Sequence, residues 1–241
     1  MWKLSAGTIL VAAFGALAHA QTQQELLRDG NGGSTDNVLT YGMGYHQQRY
    51  SPLKQINKST VKRLVPVWSA SLANEFGEQG QPLVYNGVLY AANVKRVVAI
   101  DVATGRQLWA TALEWEPAVA RVVCCGLSNR GVALYNGKLF VGSVDAHLRA
   151  LDAKTGKEVW KVKIAEWKDG YSITSAPTVA NGVLMTGMTG GEYGVRGFVA
   201  GYHPETGSQL WRRHTTAGPG EKATRPGPRA MPTCAEAAPP G

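Results

Sequence analysis

The chain of 241 residues has a formal net charge of +8 at pH 7, although only 17% of its residues are charged. Its 25 lysine and arginine residues are scattered without a dense run, which argues against a nucleic-acid-binding protein. Its 29 glycines and 7 tryptophans are typical of many short strands joined by tight turns, and exclude a disordered or helix-rich chain.

Residues 1–20 read as a secretory signal peptide. Lys3 provides the positive start, an uncharged apolar run follows from Ile9 to Ala18, and Ala18-His19-Ala20 is a small-residue cleavage site. The run is shorter than the roughly 20 residues that a membrane span needs, so we expect cleavage before Gln21 and no transmembrane segment. The mature protein is predicted to be periplasmic, where disulfides can form.

Three segments of the mature chain, 82–113, 131–164 and 176–214, repeat one pattern. Trp109, Trp160 and Trp211 recur at intervals of 51 residues. Each segment has an Asn-Gly pair between apolar runs, which is a strong hairpin signal, and then a Thr-Gly pair that predicts a second turn. Each segment therefore predicts four antiparallel strands, with the tryptophan packed between neighbouring units.

Repeats of this length with four strands each predict an all-β fold, a β-propeller of three blades plus a partial one. Trp68 in RLVPVWSASL is interpreted as part of the closing strand of an earlier, incomplete blade. A β-sandwich with accidental spacing is disfavoured by the two identical intervals. Because propellers typically close with four to eight blades, the chain is expected to be part of a ring or an incomplete sequence.

Two cysteines are adjacent in RVVCCGLSNRG, as Cys124 and Cys125. Their Cα atoms are about 3.8 Å apart, which is less than an ordinary disulfide spans, so a bond between them would close a small strained ring. Such strain is often found at functional sites. The alternative is two free thiols.

The composition of the sequence changes near its end. We divide the chain into a signal peptide (1–20), a partial propeller (21–223) and an irregular tail (224–241). The tail is rich in proline and has no apolar alternation, which is typical of disorder. The other interpretation is a shift of reading frame after about Gly227, in which case Cys234 has no structural meaning.

Several motifs together resemble the pyrroloquinoline quinone (PQQ)-dependent alcohol dehydrogenases, which are eight-bladed propellers. They are Cys-Cys-x-x-x-Asn-Arg-Gly at 124–131, GYSITSAP at 170–177, GGEYGVRG at 190–197 and TRPG at 224–227. The combination of the first and third motifs is highly specific, and the resemblance covers about residues 25–227.

The resemblance implies roles for individual residues toward PQQ and Ca²⁺. The cysteine pair would stack on the flat cofactor, Arg130 would contact the quinone oxygens, and Thr174 a carboxylate. Glu192 would bind Ca²⁺, a cation that prefers oxygen ligands. Gln79 stands where the family usually has a glutamate. The expected cofactor-binding residues are thus Gln79, Cys124, Cys125, Arg130, Thr174, Gly190 and Gly191.

The family reaction is the oxidation of a primary alcohol, with electrons passed to a cytochrome c or a quinone. The family's catalytic aspartate is expected beyond residue 241, so the resemblance implies a truncated, inactive fragment. The alternatives are a non-enzymatic exported propeller scaffold, which would not need the two specific motifs, and a sugar dehydrogenase of the same fold.

Overall fold

The computed structural model describes residues 21–30, 35–123, 126–219 and 221. The predicted signal peptide, the adjacent cysteines Cys124 and Cys125, and the tail 224–241 lie outside the described residues. No helix in the described part of the chain is long and apolar enough to cross a membrane.

Three four-stranded antiparallel sheets follow one another along the chain, and each coincides with one of the repeated segments. We call them blades 1, 2 and 3. Within each blade every strand pairs with the next in sequence, so the prediction of four strands per unit is confirmed. The strands are β1 Leu83–Tyr85, β2 Val88–Ala92, β3 Arg96–Asp101, β4 Gln107–Ala112, β5 Ala133–Tyr135, β6 Lys138–Gly142, β7 His147–Asp152, β8 Glu158–Lys163, β9 Thr178–Ala180, β10 Val183–Gly187, β11 Phe198–Tyr202 and β12 Gln209–His214.

One end of the blades, which we call the turn end, carries the Asn-Gly and Thr-Gly turns. Asn86 and Gly87 join β1 to β2 with φ angles of 48° and 75°, and the other two blades repeat these angles closely. Positive φ at both central residues is what a two-residue hairpin requires, and asparagine and glycine adopt it most readily. The opposite end, which we call the lead-in end, carries the segments that precede each first strand.

At the turn end, a tryptophan of blade 1 and one of blade 2 each form a hydrogen bond with the blade that follows. The Trp109 Nε1 group donates to the carbonyl of Ala153 at 3.2 Å, and that of Trp160 donates to Pro204 at 3.0 Å. A Cβ atom on Gly156 would lie 2.6 Å from the Trp109 ring, so only glycine lets the indole approach. The predicted packing of the repeated tryptophan between units is confirmed.

Trp68 makes the same contact with blade 1, donating to the Val102 carbonyl at 2.8 Å. However, residues 64–72 form no strand with any described segment, which differs from the expected closing strand. The reason is physical, since a strand exists only with a hydrogen-bonded partner. Val65 and Val67 are 75% and 84% exposed here.

The core lies between the blades rather than inside each one. Successive side chains of a strand point to opposite faces, so blade 2 packs Leu134 and Leu139 against blade 1, and Ala133 and Phe140 against blade 3. The N-terminal helix α1, Gln23–Gly30, packs nearby with Leu26 buried.

Candidate functional site

The candidate site lies at the lead-in end, where neighbouring blades are hydrogen-bonded through their backbones. The Gln81 amide donates to the Arg130 carbonyl at 3.2 Å, and the Arg130 amide donates to the Thr174 carbonyl at 3.0 Å. Gln81, Arg130 and Thr174 lie two, three and four residues before the first strands of blades 1, 2 and 3. Residues from three distant parts of the sequence are thus held side by side.

Arg130 is tied to Thr174 by its side chain as well. Its Nη1 atom donates to the Thr174 hydroxyl at 2.8 Å. Thr174 is buried, whereas Arg130 is half-buried and forms no ion pair with any carboxylate in the described residues. The structure therefore presents a positioned guanidinium, a strong bidentate donor, that no described acidic side chain neutralises.

The loop that joins β10 to β11 carries Glu192 and depends on glycine. Gly190 has a φ of 124°, and a Cβ atom there would lie 2.2 Å from the Gly170 carbonyl oxygen. No other residue fits this position without moving the backbone. Glu192 follows in a short 3₁₀ turn, Gly191–Tyr193, where its side chain is exposed.

A two-residue bridge brings this loop to the lead-in segment of blade 3. Ser172 and Thr189 pair as an antiparallel bridge, in which the Thr189 amide donates to the Ser172 carbonyl at 2.9 Å. Ser172 lies two residues before Thr174, and Thr189 lies three residues before Glu192. The segments that carry Thr174 and Glu192 are therefore neighbours.

Gln79 lies beside the same cluster. The adjacent Gly80 packs so closely that a Cβ atom there would lie 2.8 Å from the Ala92 carbonyl oxygen and 3.5 Å from that of Asn129. Gln79 is exposed and makes no hydrogen bond with another described residue, whereas the Glu78 carboxylate accepts from the Asn93 amide at 3.1 Å. Glu78 is thus linked to Asn93, whereas the Gln79 side chain has no hydrogen-bond partner among the described residues.

The segment around the adjacent cysteines is anchored by apolar packing on both sides of them. Val123 and Leu127 join a small buried cluster with Val94, Val119 and Val144. Cys124 and Cys125 themselves lie outside the described residues, so their predicted disulfide and stacking role stay predictions.

A buried carboxylate supports the turn between β6 and β7. Asp145 lies 2.9 Å from the His147 Nδ1 atom and also accepts from the Ser143 hydroxyl. Burial acts to raise the pKa of Asp145, but the hydrogen bonds from His147 and Ser143 hold that pKa below its ordinary value. The Ser143 carbonyl in turn accepts from the Ile173 amide at 3.3 Å, beside Thr174.

The structure thus joins Arg130 and Thr174 directly, sets Gln79 beside them and links Gly190, Gly191 and Glu192 to them through one bridge. The described residues contain no cluster of three or more His, Cys, Asp or Glu side chains that could hold a metal. Glu192 therefore belongs to no such cluster among those residues, and its metal-binding role stays a prediction. Asn129 belongs to the motif at 124–131 but had no predicted role, and its side chain accepts from the Gly131 amide at the turn around Arg130.

Comparisons with known proteins find matches over most of the chain. The model of the glucose/ethanol/alcohol dehydrogenase β-propeller domain, designated PQQ, matches residues 39–237. The quinoprotein alcohol dehydrogenase PedH of Pseudomonas putida is 44% identical over 209 residues, or 85% of this chain and 34% of that protein. Quinoprotein ethanol dehydrogenase of Pseudomonas aeruginosa is 40% identical, over 87% of this chain and 34% of that protein.

Solved structures of alcohol dehydrogenases have a similar fold over most of this chain. A europium-containing methanol dehydrogenase matches with a TM-score of 0.76 and 35% identity, over 80% of this chain and 34% of that one. A quinohemoprotein alcohol dehydrogenase from Pseudomonas putida matches with a TM-score of 0.76 and 39% identity, over 80% of this chain and 28% of that one. The prediction of a partial propeller is confirmed, and the chain spans about a third of the length of these relatives.

Proposed function

Because the chain belongs to the glucose/ethanol/alcohol dehydrogenase β-propeller family, we propose that its lead-in end forms part of a PQQ site. The observation that carries the proposal is Arg130, which is held by Thr174 and paired with no described carboxylate. PQQ is a flat quinone with three carboxylates. A preorganised guanidinium and a buried hydroxyl are suitable donors for such an anion.

Each residue of the site has a proposed part. Arg130 donates to the quinone oxygens, Thr174 to a carboxylate, and Gln79 adds a neutral amide. Cys124 and Cys125 supply an apolar surface for the ring, and the glycines Gly190 and Gly191 allow the backbone to approach a ligand closely. Glu192 supplies a carboxylate oxygen to Ca²⁺, whose preferred ligands are of this kind. When bound, PQQ accepts the hydride of an alcohol.

We further propose the setting in which this site acts. The activity is oxidation of a primary alcohol in the periplasm after cleavage of the signal peptide at residues 1–20, with electrons passed to a cytochrome c or a quinone. The general base is an aspartate in the family's reaction, and we assign that role to none of the site residues named above. We therefore expect this chain alone to bind PQQ and to reduce no dye when a primary alcohol is added.

Titration of the mature chain with PQQ in CaCl₂, followed by tryptophan fluorescence, tests the binding site. Arg130→Met removes charge-assisted hydrogen bonds of about 1.5–3 kcal/mol, so PQQ affinity should fall roughly 10- to 100-fold. Arg106→Met is the matched control, because Arg106 is an exposed arginine at the turn end. Its affinity should stay within about twofold of the parent.

Two results would overturn the PQQ site. In the first, the parent chain binds no PQQ, which would favour the non-enzymatic scaffold instead. In the second, Arg130→Met and Arg106→Met bind PQQ as tightly as the parent, which would remove Arg130 from the site. Rapid dye reduction by the chain alone would refute the expected absence of the general base.

A further inference from the structure

Asn129 is a buried polar side chain that uses both ends of its amide. Its relative exposure is 3%. The Oδ1 atom accepts from the Gly131 amide at 2.9 Å, and the Nδ2 group donates to the Gly142 carbonyl at 2.8 Å. A buried amide with these two bonds is specified by its surroundings, since losing either would leave a buried partner unsatisfied.

The first of these bonds fixes the backbone at Arg130. A side-chain oxygen that accepts from the amide two residues later closes an Asx-turn, and Arg130 is the central residue of that turn. Gly131 completes it with a φ of 131°, and a Cβ atom there would lie 3.1 Å from the Gln81 carbonyl oxygen. The turn therefore sets the direction in which the Arg130 side chain leaves the backbone.

The second bond fixes the turn relative to Thr174. Gly142 ends β6, and a Cβ atom on it would lie 2.2 Å from the Ile173 Cγ2 atom. Gly142 is thus enclosed between Asn129 on one side and Ile173, the neighbour of Thr174, on the other. The chain Asn129–Gly142–Ile173 determines how far Arg130 must reach to meet the Thr174 hydroxyl.

We propose that Asn129 is a positioning residue, which holds the Arg130 guanidinium against Thr174 and so raises the affinity for the anionic groups of PQQ without touching them. The effect on affinity rests on the proposed function. The effect on the Arg130 backbone does not rest on the proposed function, because the two hydrogen bonds of the Asn129 side chain are present in the protein without any ligand.

Hydrogen exchange of the PQQ-free chain tests the positioning by itself. In Asn129→Ala, the Arg130 and Gly131 amides should exchange at least about tenfold faster, while amides of β2 and β11 keep their rates. Leu151→Ala, a truncation of a fully buried side chain in the core between blades 1 and 2, is the control for general destabilisation. In Leu151→Ala, exchange of the Arg130 and Gly131 amides should not accelerate more than exchange of other amides. Equal acceleration by both variants would overturn the positioning role.

PQQ titration of a double-mutant cycle tests the consequence for binding. Asn129→Ala should weaken PQQ about tenfold in the parent and less than twofold in Arg130→Met, because its effect passes through Arg130. Equal weakening in both backgrounds would overturn the proposal. The hydroxyl in Asn129→Ser can still accept from the Gly131 amide, so this variant should regain part of the PQQ affinity. If Asn129→Ala does not fold, Asn129→Ser takes its place in the cycle. If the parent binds no PQQ, the proposed function fails, and the exchange experiment still decides the role of Asn129.

Discussion

The turn end and the lead-in end of the blades are built from the same strands but by different rules. At the turn end, the three Asn-Gly turns share a φ of 48° at asparagine and of 72–75° at glycine. At the lead-in end, the connections between the second and third strands differ in every blade. They comprise residues 93–95, 143–146 and 188–197.

This difference separates the residues that maintain the fold from those that form the site. The tryptophan contacts at the turn end recur because every blade must bury the same face against the next. The lead-in end has no such requirement, so its loops are free to carry Arg130, Thr174 and Glu192. The longest of these loops is the one that holds Glu192.

The largest effect that the comparison predicts is a loss of stability at the turn end without a loss of binding. Trp160→Ala removes the indole that packs on blade 3 and its hydrogen bond to Pro204. We expect the free energy of unfolding to fall by about 3 kcal/mol, as for other large core truncations. Denaturant unfolding followed by circular dichroism measures it, and PQQ affinity should change less than twofold.

Trp211→Ala is a matched control for that variant. Trp211 has the same place in the repeat, but it donates to no following blade among the described residues. Its truncation should cost about 1 kcal/mol, because less of its surroundings is lost. Equal costs for the two tryptophans would show that the contact between blades is not what Trp160 contributes. A large loss of PQQ affinity in Trp160→Ala would show that the two ends are coupled.

The sequence predicts the turn end better than the lead-in end for the same reason. Asn-Gly, Thr-Gly and the tryptophan are local signals, and their repetition made the strand count secure. The contact of Arg130 with Thr174 is not local, since 44 residues separate them, and the family resemblance predicts only that both residues lie at one cofactor site. The motif alone predicts no structural role for Asn129, because its partner Gly142 looks like any strand glycine until Ile173 is placed beside it.

Acid should weaken the lead-in end through Asp145. Because its pKa in the folded protein is lower than its ordinary value of about 3.9, its ionised form stabilises the fold at higher pH. That contribution is full above the ordinary value and is lost as the pH falls through the folded pKa. Asp145→Asn should therefore cost about 2 kcal/mol at pH 7, since hydrogen bonds to a charged group are lost.

Unfolding curves of the parent and Asp145→Asn from pH 7 to pH 2 measure this effect. The difference in the free energy of unfolding between the two proteins should narrow as the pH falls below about 4, where Asp145 takes up its proton. If the difference in the free energy of unfolding stays the same down to pH 2, the substitution disturbs the packing of the turn and not the charge of Asp145.

The smallest predicted effect concerns a contact at the turn end that the repeat does not share. The Glu205 carboxylate accepts from the Asn136 amide at 2.8 Å and pairs with Lys138 at 2.7 Å, joining blades 2 and 3. At the same repeat position 51 residues earlier stands Lys154, which forms no ion pair with a described residue. The interface between blades 1 and 2 therefore forms without an equivalent ion pair. The Glu205–Lys138 pair adds to the packing that both interfaces share.

Glu205→Gln should accordingly lower the free energy of unfolding by only about 0.5 kcal/mol at low salt, as for other partly exposed ion pairs. Most of that difference should vanish in 1 M NaCl, where the screening length is about 3 Å. Lys154→Gln, the control, should have no measurable effect at either salt concentration. A loss as large as that of Trp160→Ala would mean that polar contacts, and not the repeated tryptophans, hold the blades together.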